Sequence, residues 1–155
     1  MEMQNHYHFM NLAINQAEIA LQSGEIPVGA VLVRDGIIVC RAHNTTETHN
    51  NVTHHAEINI INEFSKLFGE KYLSETTLYV TLEPCPMCAS ALVWSKIPRI
   101  VFGAMDAHRG ACGSRFHLHD HVSLNHKIEI ISGIREQECE DLLKSFFNEK
   151  RKGER

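Results

Sequence analysis

No stretch of this 155-residue chain reaches the roughly 18 consecutive apolar residues of a membrane-spanning helix. Met1 to Met10 is polar and rich in His and Asn, with no basic segment leading into an apolar one as a secretory signal would have. Both absences predict a soluble cytoplasmic protein with no membrane partner. An even set of cysteines is lacking too. Five cysteines argue against a secreted disulfide framework and suit a reducing compartment, where Cys85 and Cys88 stay available as thiolates. Cys40, Cys112 and Cys139 carry no assignment. There is no excess of positive charge: 15 Lys and Arg stand against 19 Asp and Glu, net -4. That balance weighs against a nucleic-acid partner, which usually leaves a basic footprint. Only the C-terminus leans basic, through Lys144, Lys150, Arg151, Lys152 and Arg155. Internal repeats, low-complexity segments and linkers are missing as well. With 43% hydrophobic and 22% charged residues, the chain reads as one globular domain over residues 1–155, of which 143–155 are the end of a C-terminal helix and a basic tail.

Periodicity supplies the elements. From His6 to Ser23, Phe9, Leu12, Ala13, Ala17, Ala20 and Leu21 make one helical face, and Gly24 closes it. Val28 to Arg34 and Ile37 to Arg41 are aliphatic strands joined by Asp35-Gly36, a two-residue hairpin signal. After a polar loop from His43, Thr53 is a candidate N-cap for a helix to about Phe68, with Ile58, Ile61, Phe64, Leu67 and Phe68 inward. Thr77 to Leu82 is a third strand, and a helix from Met87 to about Ser95 follows, with Pro86 in its first turn. Arg99 to Gly103 and Lys127 to Ser132 are strands separated by a loop from Ala104 to His126, long enough to suggest function. Glu136 to Lys150 closes the chain as a helix, with Cys139, Leu142, Leu143, Phe146 and Phe147 inward. The order α-β-β-α-β-α-β-β-α predicts a three-layer α/β/α fold with a five-stranded mixed sheet.

Against this frame stand two short motifs, His55-Ala56-Glu57 and Pro84-Cys85-Pro86-Met87-Cys88. Cys-x-x-Cys between a strand and a helix also fits a thioredoxin-like redox pair. A redox dithiol, however, has no use for His-x-Glu, whereas a hydrolytic zinc needs a third ligand and a proton carrier. His55, Cys85 and Cys88 make three ligands for one Zn2+ and leave the fourth tetrahedral position to water, whose pKa zinc lowers from about 15.7 towards about 7. Glu57 is the candidate catalytic acid and base. His54 is read as an exposed neighbour, and Glu83 as a structural hydrogen-bonding residue rather than a second acid.

The combination resembles the zinc-dependent nucleobase deaminases. Glu25-Ile-Pro-Val-Gly-Ala-Val, His55-Ala-Glu-Ile, Thr77 to Ala89, Arg99-Ile-Val-Phe-Gly-Ala, Gly110-Ala-Cys-Gly-Ser, Asn125-His126 and Phe146-Phe147 are similar to the bacterial tRNA-specific adenosine deaminases, over nearly the whole chain. The resemblance implies a cytidine-deaminase-like fold, a homodimer and a tRNA anticodon stem-loop as partner. It also implies hydrolytic deamination of adenosine to inosine at the wobble position, by hydroxide attack on C6. A base in a stacked helix cannot reach a zinc, so a splayed-out loop nucleotide is the natural substrate. By the same resemblance Asn44 bonds the flipped base or its ribose, the Ala56 N–H holds the base, and Val28 walls the pocket. Asp106 and Asn125 would meet the flanking nucleotides. Arg109 and Lys150-Arg151-Lys152 are candidates for phosphate contact. The run Phe116-His117-Leu118-His119-Asp120-His121 departs from the resemblance. An extended backbone would put its three histidines on one side and Asp120 on the other, and the run is read as a polar surface loop. Two other functions remain open: deamination of a free nucleobase such as guanine, and a non-catalytic zinc-stabilised RNA-binding module.

Overall fold

In the computed structural model, which describes residues 2–153, five strands form one sheet in the order β2-β1-β3-β4-β5. Met1, Glu154 and Arg155 lie outside the described residues, Arg155 being the last cation of the expected tail. β1 (Gly29–Arg34) pairs antiparallel with β2 (Ile37–His43) and with β3 (Thr76–Leu82). β3, β4 (Arg99–Ala104) and the short β5 (Glu129–Ile131) run parallel. The β1–β2 turn has positive φ at both Asp35 and Gly36, as a two-residue hairpin turn requires.

Alternation along the strands divides the apolar side chains between two cores. Ala30, Leu32, Leu78, Val80, Ile100 and Phe102 face α2 (Ala56–Phe68) and α3 (Pro86–Trp94). Val31, Val33, Tyr79 and Val101 face α1 (Glu2–Gln22) and α4 (Glu136–Gly153). The result is the expected three-layer α/β/α arrangement with a five-stranded mixed sheet. α1 lies directly on β1, because a Cβ on Gly29 would run into the α1 backbone at Ala13 and Ala17.

Several expected boundaries shift for physical reasons. The N-cap of α2 is His55, not Thr53, whose N–H and hydroxyl both donate to Asn51 Oδ1 in a turn of their own. His55 therefore stands at the head of α2, and Glu57 lies inside its first turn. On α2 the buried positions are Ala56, Glu57, Ile60 and Phe64, while Leu67 and Phe68 at its C-terminal end are exposed. Along α4 only Cys139 is fully buried; Leu142, Leu143 and Phe146 are half-buried and Phe147 is exposed. Among the described residues no helix is long and apolar enough to cross a membrane.

Candidate active site

Strand polarity gathers the motifs. β2, β3 and β4 run in one direction and β1 in the other, so three C-terminal ends and the N-terminal end of β1 share one edge. Asn44 follows β2, Glu83 to Cys85 follow β3, residues 105–109 follow β4, and Val28 precedes β1. Ligands of α/β sheets characteristically bind at such an edge.

His55 and Cys85 are the N-caps of α2 and α3, a position that ordinarily holds Ser, Thr, Asp or Asn, and neither side chain caps its helix. Forgoing a cap costs about 1 kcal/mol per helix and leaves both side chains free to turn towards one another. His55 Nδ1 lies 3.6 Å from Cys85 Sγ and 3.4 Å from Cys88 Sγ. Donors at zinc bond lengths near 2.1 and 2.3 Å sit about 3.6 Å apart across a tetrahedral edge. The donor set thus fits zinc in distance as well as chemistry. Among the described residues no further His, Cys, Asp or Glu joins the group.

The thiols divide their protons unequally. A hydrogen bond from Cys88 and the neighbouring His55 pull the Cys85 thiol well below its ordinary value. Cys88, donating to Cys85 and buried, is pushed up. The hydrogen bond to Cys85 raises His55, with the Glu57 charge adding to it. Glu57 is 4% exposed, and burial lifts its carboxyl to about 7, the range in which one group both accepts and returns a proton at neutral pH.

Above these residues opens a cleft of about 540 Å3. Val28, Asn44, Ala56 and Asp106 all line it, as the sequence suggests; Asn125 does not, and sits exposed further along the 105–128 segment. Asn44 is 5% exposed; its amide donates to the Ile26 carbonyl at 3.4 Å, while its Oδ1 is buried with no partner among the described residues. An unpaired acceptor in a cleft wall is suited to a donor on a ligand. Asp106 Oδ1 accepts from the N–H groups of His108 and Arg109, fixing the turn that brings both residues to the cleft. Sequence periodicity missed Ile26, Met105 and His108, and placed Phe147 in the core where it lines the cleft; Leu143 packs against the core as expected and lines the cleft too. The resemblance at Phe146-Phe147 was the one signal that pointed to the end of α4.

Glu83 takes the structural role expected of it. It is 2% exposed, and each carboxylate oxygen accepts twice. One oxygen takes the Asp106 N–H at 3.1 Å and the Ser114 hydroxyl at 2.5 Å; the other takes the Cys112 and Ser114 N–H groups at 3.1 and 3.0 Å. Only glycine fits at 110, because a Cβ there would overlap this carboxyl group. Two residues from Cys85, Glu83 thereby ties the metal-ligand turn to the loop that carries Asp106. His54 stands apart from the ligand group. It is half-buried rather than exposed, with Nδ1 bonded to Asn59 at 2.8 Å. Cys40, Cys112 and Cys139 are buried, and burial raises all three thiols, which makes them packing residues rather than nucleophiles.

Residues 3–104 match the family model of the cytidine and deoxycytidylate deaminase zinc-binding region. The tRNA-specific adenosine deaminase of Bacillus subtilis is 46% identical over 144 residues, covering 93% of this chain and 89% of that protein. A solved structure from work on A-to-I editing by tRNA:A34 deaminases at the wobble position is 40% identical, with a TM-score of 0.85, over 88% of this chain and 99% of that one. The guanine deaminase of Nitrosomonas europaea, at 17% identity and a TM-score of 0.78 over 90% of this chain and 83% of that one, shares the fold alone. Motifs, strand edge and donor geometry agree with these likenesses, and the chain belongs to the zinc-binding cytidine and deoxycytidylate deaminase family.

Proposed function

We propose that this protein is a zinc-dependent tRNA adenosine deaminase that converts adenosine to inosine at the wobble position of an anticodon. The observation that carries the reading is a buried carboxyl, Glu57, held near neutrality beside the His55, Cys85 and Cys88 donors at an open cleft. When bound by those three residues, zinc supplies a Lewis acid that brings the pKa of water towards about 7. Glu57 takes a proton from water, returns one to N1 of adenine as oxygen adds at C6, and assists departure of the 6-amino group. Adenosine and water become inosine and ammonia. Asn44, through its unpaired Oδ1, receives a donor of the base or ribose; the Ala56 N–H and Val28 position the ring; Asp106 and Asn125 serve the flanking nucleotides.

The partner is the anticodon stem-loop, whose unstacked bases reach a cleft that a duplex base does not. Net acidity is offset locally. Arg109 lines the cleft. Arg151 lies four residues beyond Phe147, one helical turn further along the side of α4 that faces it. Replacing Lys150, Arg151 and Lys152 together with Ala should weaken stem-loop binding and reduce the slope of log K against log salt by roughly 2, at about 0.7 per phosphate contact on single-stranded RNA. A salt titration of binding checks this, and an unchanged slope would confine recognition to the cleft.

We further infer a homodimer in the cytoplasm, working as one domain per chain. Trp94, at the end of α3, is 76% exposed, the kind of aromatic surface that interfaces cover. All five cysteines are free. Incubation with an anticodon stem-loop carrying adenosine at the wobble position, and separately with free guanine, discriminates the substrates. Inosine from the RNA and no turnover of guanine are expected; the reverse would make this a free-base deaminase.

A further inference from the structure

The His-rich run lies outside the cleft, and its side chains do not take the arrangement that an extended strand would give. His117, His119 and Asp120 each bring a ligand atom within 4.8 Å of the others, whereas His121 turns away and accepts the Ser123 N–H at its Nδ1. The departure from alternation follows from the backbone. Only an isolated bridge between His117 and Cys112 is strand-like, and the chain turns at His119 and Asp120. Leu118 N–H to Ala111 O at 3.0 Å and Ile128 N–H to His119 O at 2.8 Å hold the segment in place, so the cluster rests on a fixed frame.

His119 is the anomaly. Its side chain is only 14% exposed, yet among the described residues neither ring nitrogen has a hydrogen-bond partner. Nε2 stands 3.7 Å from the Asp120 carboxylate, too far for one, and Nδ1 is buried without a partner among the described residues. The His117 ring packs beside it at 5.7 Å between centroids. Two imidazoles and a carboxylate suit a borderline divalent transition ion, with water completing the coordination.

We propose that His117, His119 and Asp120 form a second metal site, for a divalent cation of the zinc, nickel or cobalt type, separate from the thiolate site. Donors around such an ion sit about 3 to 3.5 Å apart, so the trio, whose ligand atoms lie within 4.8 Å of one another, must close by up to about 1.5 Å. His117 is exposed and free to rotate inward. That closure, and the absence of thiolates, make the site weaker than the one formed by His55, Cys85 and Cys88.

The test is calorimetric titration of the tag-free, zinc-replete chain with Ni2+, accompanied by NMR of the histidine ring protons. One further equivalent should bind and move the His117 and His119 signals. Binding should weaken at least tenfold in His117→Asn, an exposed position that leaves the fold intact, and disappear in His117→Asn/His119→Asn. His121→Asn should bind as the parent does. Absence of a further equivalent, its persistence in the double variant, or equal loss in His121→Asn would overturn the proposal. None of these readouts depends on deaminase activity, so the second site and the proposed function stand or fall separately.

Discussion

Replacing Glu57 with Gln is expected to leave zinc content unchanged and to lower turnover of an anticodon stem-loop by at least 10²- to 10⁴-fold, the usual contribution of a general acid and base. Since one carboxyl serves both proton transfers in the proposed mechanism, the larger figure is the closer expectation. A second effect has the opposite sign. Burial raises the Glu57 carboxyl from its ordinary 4.5 to about 7 in the metal-free chain, so the fold accommodates the neutral form. Below about pH 4.5 the group costs nothing. Stability is lost as the pH rises from there through about 7 and levels off at roughly 3 kcal/mol, at about 1.4 kcal/mol per pH unit. Gln has no charge to bury. Metal-stripped Glu57→Gln should therefore be more stable than the metal-stripped parent by about 3 kcal/mol at pH 8 and nearly equal to it at pH 4.5. With zinc bound, the dication favours the carboxylate and the gap at pH 8 should narrow. Denaturant unfolding at the two pH values, with and without zinc, reads all of this. An active variant, or one destabilised at pH 8, would contradict the assignment of a strained catalytic carboxyl.

At Glu83 the loss should be structural first. Both carboxylate oxygens accept two donors each. In Glu83→Gln the better orientation turns the NH2 towards the Ser114 hydroxyl, which can rotate to accept from it, and strands the Asp106 N–H; the opposite one strands the N–H groups of both Cys112 and Ser114. At about 1 to 3 kcal/mol for a buried donor left unpaired, with the other bonds weakened by loss of the charge, the cost is on the order of 2 to 4 kcal/mol. In a chain of this length that corresponds to a fall in Tm of roughly 5 to 10 °C. Activity should fall with it, because the freed 106–114 loop carries Asp106 and is anchored beside Cys85. Gly110→Ala presses a methyl group onto the same carboxyl and should reproduce both losses. Thermal unfolding together with stem-loop turnover checks the pair; a variant of either kind with parental Tm would show that the clamp is dispensable.

Features set by neighbouring residues were legible in the chain. Asp35-Gly36 announces the hairpin because the turn itself demands positive φ, and the two zinc motifs carry their ligands on consecutive helix starts. What depends on packing across the molecule was not. Helical periodicity places Leu67 and Phe147 inward, but both are exposed, and Phe147 lines the cleft, while Leu143 packs against the core and reaches the cleft as well. Thr53 looks like a cap until Asn51 takes its hydrogen bonds. Asn44 was named from resemblance alone; its unpaired Oδ1, the physical reason to expect a ligand there, exists only once Ile26 and Val28 close around it. Asp120 joins His117 and His119 only because the chain turns there, whereas an extended run would have pointed it away.

The central claim is hydrolytic deamination of a wobble adenosine by a zinc-bearing chain, and one measurement meets it directly. The zinc-replete protein is incubated with an anticodon stem-loop carrying adenosine at the wobble position, and inosine and ammonia are quantified together. One inosine and one ammonia per RNA are predicted from the parent chain, and neither from Glu57→Gln at matched zinc content. No inosine from the parent, or equal yields from the two proteins, would contradict the account.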